Sequence, residues 1–178
     1  APKGALSPSL AACMAALGRY GRGGVFLDPF AGSGALGKAR LDLGGAERVI
    51  LSDKDPEKVG TMKRRLRGLA SDKLVIRRAD ALALGRDWAE GPVQELVCDP
   101  PWGQFEPLPM PAPAFYSGML ASFDAVMAPG GRLVVLTADK AAFAQALNES
   151  VFEPRERHDI LVNGQKAGIF LSVKRESG

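Results

Sequence analysis

Val25-Phe-Leu-Asp-Pro-Phe-Ala-Gly-Ser-Gly-Ala-Leu-Gly37 decides the fold: it reads as a buried strand, a glycine turn and the opening of a helix. Gly32 and Gly34 let the backbone bend sharply and bring a ligand to the positive end of the following helix. The stretch is therefore a nucleotide-binding loop. Gly32, Gly34 and Gly37, with Asp53 nineteen residues beyond Gly34, also match the dinucleotide fingerprint, so the glycines alone leave two cofactor classes open.

Upstream, Ser7 and Pro8 cap and start an amphipathic helix over 7–20, with Leu10, Met14 and Leu17 on its apolar face. Downstream, a helix follows the loop to Leu43, then a strand from Arg48 to Asp53, a helix capped by Asp55 and running to about Leu69, and strands at 74–76 and 95–99. Strands alternating with helices predict a parallel sheet. Six prolines between Pro100 and Pro113 predict a long exposed loop. A helix rich in Phe115, Tyr116, Met119 and Phe123 follows and packs on the sheet. Pro129-Gly-Gly131 then turns into a strand over 132–137, and Asp139 caps a helix to Leu147. The strands 151–162 and 167–173, joined at Asn163-Gly164, read as an antiparallel hairpin.

A chain of 178 residues suffices for one α/β domain, so a single domain is expected over 1–178, with a cofactor and catalytic core at 24–137 and a terminal hairpin at 151–174. No apolar run reaches membrane-spanning length, and the amino terminus has no signal pattern, so no membrane association and a cytoplasmic location are expected. Cys13 and Cys98 lack metal-ligand spacing, so no metal is expected. A net charge of +3 permits a polyanionic partner without requiring one. Lys63, Arg64, Arg65 and Arg67, with Arg77 and Arg78 beyond, form the densest basic patch and read first as a solvated face.

The acids separate the cofactor classes. Asp28, Asp53, Asp80 and Asp99 fall at the carboxyl ends of successive strands, where open α/β sheets bind ligands. Four carboxylates repel a pyrophosphate and suit a cationic ligand. A terminal hairpin in place of a sixth parallel strand, with no residues left for a substrate domain, also argues against a dehydrogenase. S-adenosyl-L-methionine, with its ammonium, sulfonium, ribose diol and adenine amine, fits the rim.

On these residues the chain resembles the class I S-adenosylmethionine-dependent methyltransferases, whose Rossmann-like fold has a seven-stranded, mostly parallel sheet of order 3-2-1-4-5-7-6 with strand 7 antiparallel. Asp28-Pro-Phe-Ala-Gly-Ser-Gly34 is similar to their first motif and Asp99-Pro-Pro-Trp102 to their amino-methylating fourth motif. With Ser7-Pro8, Ser52-Asp-Lys-Asp-Pro56 and Asn163-Gly-Gln-Lys-Ala-Gly-Ile-Phe170, the series resembles the catalytic domain of THUMP-associated tRNA guanine-N2 methyltransferases. The resemblance implies methylation of an exocyclic base amine, most simply N2 of guanine in tRNA or rRNA, with a THUMP or other RNA-binding module as partner. Asp-Pro-Pro-Trp also occurs in adenine-N6 methyltransferases, which leaves the base open, and a catalytically silent cofactor-binding subunit is the alternative of another class.

By the same resemblance, Phe30, Ala31, Gly32 and Gly34 hold the methionine end of the cofactor, and Asp28 orients that loop. Asp53 with Lys54 takes the ribose, and Asp80 with Ala81 the adenine. Asp99 and the Pro100 carbonyl accept hydrogen bonds from the target amine, Pro101 stiffens the turn and Trp102 stacks on the base. Phe105 and Tyr116 are candidates to frame the base pocket. His158, the sole histidine, lies in a hairpin strand and reads as structural, Trp88 as packing over a helix end, and Gly37 as helix packing.

Overall fold

The computed structural model describes residues 5–21, 23–69, 72–104 and 106–176. In chain order they form α1 (Pro8–Gly18), β1 (Val25–Asp28), α2 (Ala35–Leu43), β2 (Arg48–Asp53), α3 (Pro56–Arg65), β3 (Leu74–Arg78), β4 (Val93–Cys98), α4 (Ala112–Asp124), β5 (Met127–Thr137), α5 (Lys140–Asn148), β6 (Phe152–Val162) and β7 (Gln165–Lys174), with short 3-10 turns at Arg67–Leu69 and Leu84–Arg86. The strands make one sheet of order β3-β2-β1-β4-β5-β7-β6. The first five run parallel, while β7 pairs antiparallel to both β5 and β6. This is the order the resemblance implies. No helix among the described residues is long and apolar enough to cross a membrane.

Alternate residues along each strand face opposite ways and divide the core in two. Leu27, Ile50, Leu96, Cys98 and Val135 meet α4 and α5 on one face, whereas Phe26, Leu51, Val97 and Val134 meet α1, α2 and α3 on the other. On the first face a run of rings connects Phe30 to Phe115, Tyr116, Phe143 and Phe170, with centroids 5.0–6.3 Å apart. Such edge and tilted pairs add to simple area burial. The outermost strand, β6, carries an exposed Glu153-Pro-Arg-Glu-Arg-His-Asp159 segment, which opposes pairing with another sheet.

Several sequence expectations shift. The buried face of α1 is Ala11, Met14, Ala15 and Gly18, with Leu10 and Leu17 at its margins. The reason is proximity: a Cβ at Gly18 would lie 2.4 Å from Val97 Cγ2, so only small side chains fit beneath the helix. The helix also ends at Gly18 and not at residue 20. α3 stops at Arg65 before its 3-10 turn. The proline loop is shorter than expected, because Ala112 and Pro113 already belong to the first turn of α4, where a proline's missing N–H costs nothing. Pro129-Gly-Gly131 lies inside β5, where the pairing with β4 jumps from Val93–Met127 to Glu95–Arg132 and the strand bulges. His158 is indeed on a hairpin strand, half-exposed, with Nε2 2.9 Å from Glu156.

A buried ion pair is absent from any sequence expectation. Arg40 of α2 and Glu95 of β4 are both fully buried, with Arg40 Nε donating to Glu95 Oε2 at 2.5 Å and Nη2 donating to Oε1 at 3.1 Å. Arg40 Nη1 also donates to the Gly44 carbonyl at 2.7 Å, and Glu95 Oε1 accepts the Tyr20 N–H at 2.7 Å. The pair thereby ties α2, β4 and the segment leading into β1. Glu95→Gln strands a buried guanidinium, so we expect a loss of about 3–5 kcal/mol of unfolding free energy in urea titrations. An unchanged midpoint would mean that the pair contributes little.

Candidate active site

The loop after β1 is held from three sides. Asp28 is buried and its Oδ1 accepts the Phe30 N–H at 3.0 Å, which curls the chain back over the strand end. The Ala31 N–H donates to the Ser52 carbonyl at 2.9 Å, and the Gly32 N–H donates to Asp53 Oδ2 at 3.1 Å. The other Asp53 oxygen accepts the Asp55 N–H at 3.0 Å, fixing the start of α3. Gly34 caps α2 at φ +81°, a left-handed conformation that favours glycine. Below it, a Cβ at Gly37 would meet Leu51 Cδ2 at 2.4 Å, so Gly37 is required by the seating of α2 on β2.

Side chains cap the starts of α1, α3 and α5, through Ser7, Asp55 and Asp139. α2 has no such cap. Its first-turn amides face the loop mouth with the helix's positive end behind them, and anions bind such ends.

β1 lies between β2 and β4, so Asp53, Asp28 and Asp99 stand at the ends of three adjacent strands. Burial pushes the Asp28 carboxyl well above its ordinary range, and the charges of Asp99 and Asp53 push it further. Burial likewise raises Asp99 to about 7, a rise partly offset by the Trp102 indole. Burial also raises the Cys98 thiol, which keeps it protonated and inert. Among the described residues no group of three or more His, Cys, Asp or Glu is arranged to hold a metal ion.

The segment after β4 sets Pro100 fully inside, with Pro101 and Trp102 half-buried. Trp102 Nε1 donates to the Leu136 carbonyl at 3.2 Å, and its ring packs against the core on the α1–α3 face. The indole is thus anchored at its nitrogen. Lys58 of α3 reaches Glu106 at 2.5 Å, fastening the proline loop over this end of the sheet.

The structure therefore brings together Asp28, Phe30, Ala31, Gly32, Gly34, Asp53, Asp99, Pro100, Pro101 and Trp102. Asp80, beyond the edge strand β3, is exposed and its Oδ1 accepts the Leu82 N–H at 2.9 Å, with Ala81 buried beside it and Lys54 exposed. Tyr116 is corrected: it is fully buried, its hydroxyl 2.7 Å from Thr137 Oγ1, and it frames no pocket. The signal was in its helical spacing with Phe115 and Met119, which marks the core face. Phe105 lies outside the described residues. Trp88 is half-buried, donates to the Gly91 carbonyl at 2.6 Å and carries the Arg77 guanidinium over its ring.

Comparison with known proteins agrees with this geometry. The RMKL-like methyltransferase domain family matches residues 1–37 and 38–167. A tRNA (guanine(6)-N2)-methyltransferase of Thermus thermophilus is 33% identical over 148 residues, which are 82% of this chain and 43% of that protein. The chain thus spans less than half the length of that curated relative. The crystal structure of TrmN from Thermus thermophilus superposes with a TM-score of 0.84 at 28% identity, covering 98% of this chain and 51% of that one. A geranyl diphosphate methyltransferase in complex with SAM shares the fold at 13% identity, with a TM-score of 0.71 over 95% of this chain and 86% of its own. With the cofactor-loop and Asp-Pro-Pro-Trp geometry and a family match across most of its length, the chain belongs to the RMKL-like methyltransferase domain family.

Proposed function

We propose that this domain transfers a methyl group from S-adenosylmethionine to the N2 amine of a guanine in tRNA. The observation that carries the reading is the half-buried Asp99-Pro-Pro-Trp102 turn standing one strand away from the Asp28 loop on the same rim. One relative reported above, from Thermus thermophilus, is named a tRNA (guanine(6)-N2)-methyltransferase, which supports the reading.

The rim suits that cofactor in its own chemistry. The uncapped amides of α2 match a carboxylate, while three crowded acids gain from a nearby ammonium and sulfonium. Each Asp53 oxygen accepts one backbone N–H and keeps a lone pair for a ribose hydroxyl. Asp80, exposed beyond β3, has an oxygen left for the adenine amine.

When bound, the cofactor supplies an electrophilic methyl group on sulfur. An exocyclic base amine is a weak nucleophile because its lone pair is delocalised into the ring. The Asp99 carboxylate and the Pro100 carbonyl accept its two N–H bonds, hold it in line and push electron density back onto nitrogen. Pro100 and Pro101 keep both acceptors from moving, and Trp102, pinned through Leu136, offers its ring to the base plane. Only the ionised form of Asp99 accepts without donating. With its carboxyl at about 7, the free protein is half-protonated near neutrality.

Three outcomes follow from these roles. Methyl incorporation into unmodified tRNA should fall about 10²–10³-fold in Asp99→Ala with cofactor affinity changed only a few-fold, the scale for removing one positioned hydrogen-bonding group. Wild-type activity at full Asp99→Ala strength would revive a silent cofactor-binding role. Digesting the product to nucleosides distinguishes N2-methylguanosine from the N6-methyladenosine of an adenine enzyme. In calorimetry, Asp53→Ala should weaken S-adenosylhomocysteine binding, and NADH binding in its place would sink the cofactor reading.

Asp99 also links pH to stability. Its folded pKa, about 7, lies above the unfolded value near 3.9, so the stabilising contribution of the protonated form is complete below pH 4 and is lost as pH rises through about 7. Asp99→Asn should therefore raise the melting temperature at pH 8 and much less at pH 5. Equal shifts at both values would place the titration elsewhere.

A further inference from the structure

Three arginines at the β3 end of the rim, away from Asp99, converge on one recess. Arg77 and Arg78 end the edge strand β3, Arg86 closes the turn at Leu84–Arg86, and with Asp80 and Asp87 they line a cavity of about 320 Å³. The Arg86 side chain makes no hydrogen bond or ion pair among the described residues, and none of the three arginines is paired with an acid. Arg78 spends only Nε, which donates to the Lys54 carbonyl at 3.0 Å. Arg77 lies flat, its guanidinium carbon 4.9 Å from the centre of the Trp88 ring, which holds it without consuming its donors.

We propose that this recess grips a backbone phosphate of the RNA substrate, an inference that rests on the methyl-transfer reading above. Neighbouring residues on a strand point to opposite faces, so Arg77 and Arg78 approach the recess from both sides of a free sheet edge, and Arg86 supplies a third cation. Guanidinium forks match phosphate oxygens in shape and charge. The two acids leave an excess of one positive charge, and Asp80 turns one oxygen back onto the Leu82 N–H and keeps the other for the adenine amine, so the phosphate is left to the arginines.

Position supports the same ligand. β3 and β4 are separated by β2 and β1, which at about 4.8 Å per strand puts the recess about 14 Å along the carboxyl rim from the strand that leads to Asp99. Stacked nucleotides rise about 3.4 Å each, so a base presented to Asp99 carries a phosphate to the recess roughly four nucleotides away. The contact supplies affinity and register and reads no sequence.

The test is fluorescence anisotropy of labelled unmodified tRNA against the 178-residue chain across a salt series, with methyl incorporation measured on the same preparations. Arg78→Glu and Arg86→Glu should each weaken RNA binding about tenfold or more in 0.1 M salt, and should flatten the slope of log K against log salt by about 0.7–0.9. S-adenosylhomocysteine affinity and thermal melting should stay unchanged in Arg86→Glu, since only Arg78 holds the Lys54 carbonyl. Arg155→Glu, an equal charge reversal on the exposed far-edge strand β6, should do far less. Wild-type affinity in both recess variants, an equal loss in Arg155→Glu, or no RNA binding by the wild-type chain would each overturn the proposal. The two readings can fail separately: arginine-dependent RNA binding without methyl transfer would sink the function and leave the recess standing, whereas methyl transfer with an indifferent recess would do the reverse.

Discussion

Three carboxylates at the ends of adjacent strands are an electrostatic conflict, and the upper half of the molecule is arranged around it. Asp28 is relieved by a backbone amide of its own loop and Asp53 by amides from two loops, whereas Asp99 is only partly offset by the Trp102 indole, whose N–H goes to the Leu136 carbonyl. Each local solution also shapes the loop after β1 or the Asp99-Pro-Pro-Trp102 turn. Burial holds both the Asp28 and Asp99 carboxyls high, with the neighbouring acids adding a smaller push at Asp28, and a cation placed beside them would offset that cost. Stability given up here is the same quantity that selects the ligand, a trade common where binding sites are built from like charges.

The seating of α2 makes this possible. With Gly37 against Leu51, the helix starts close enough to β2 for the loop to be reached by both Ser52 and Asp53. The glycine first read as helix packing is thus a positional requirement of the site, because a side chain there would lift the helix and the amides at its start.

Much of this was legible in the residues. Strand-end acids, glycine turns and helix caps are local signals, and Ser7, Asp55 and Asp139 cap their helices as their spacing implies. What escaped depends on contacts distant in sequence or on the absence of space. Arg40 and Glu95 are 55 residues apart, and each by itself resembles a surface charge. The inner face of α1 is its small residues because β4 lies so close, which no periodicity of large apolar side chains can announce. In Pro129-Gly-Gly131 the turn chemistry was real, but the sheet absorbed it as a bulge. At the site, the pairing of Trp102 with the Leu136 carbonyl likewise came from tertiary packing, whereas the burial of Tyr116 was legible in its helical spacing with Phe115 and Met119.

The place of β7 between β5 and β6 has a consequence for synthesis. β5 is complete at Thr137, yet its partner ends only at Lys174. At about 5–20 residues per second on the ribosome, the outer edge of β5 waits about 2–7 s for its neighbour. Phe170, the last ring of the aromatic run that begins at Phe30, arrives in that same interval. The loop after β1, encoded early, therefore has its full support only after the hairpin emerges, and a nascent chain stalled before it would present an open apolar sheet edge to the cell's chaperones.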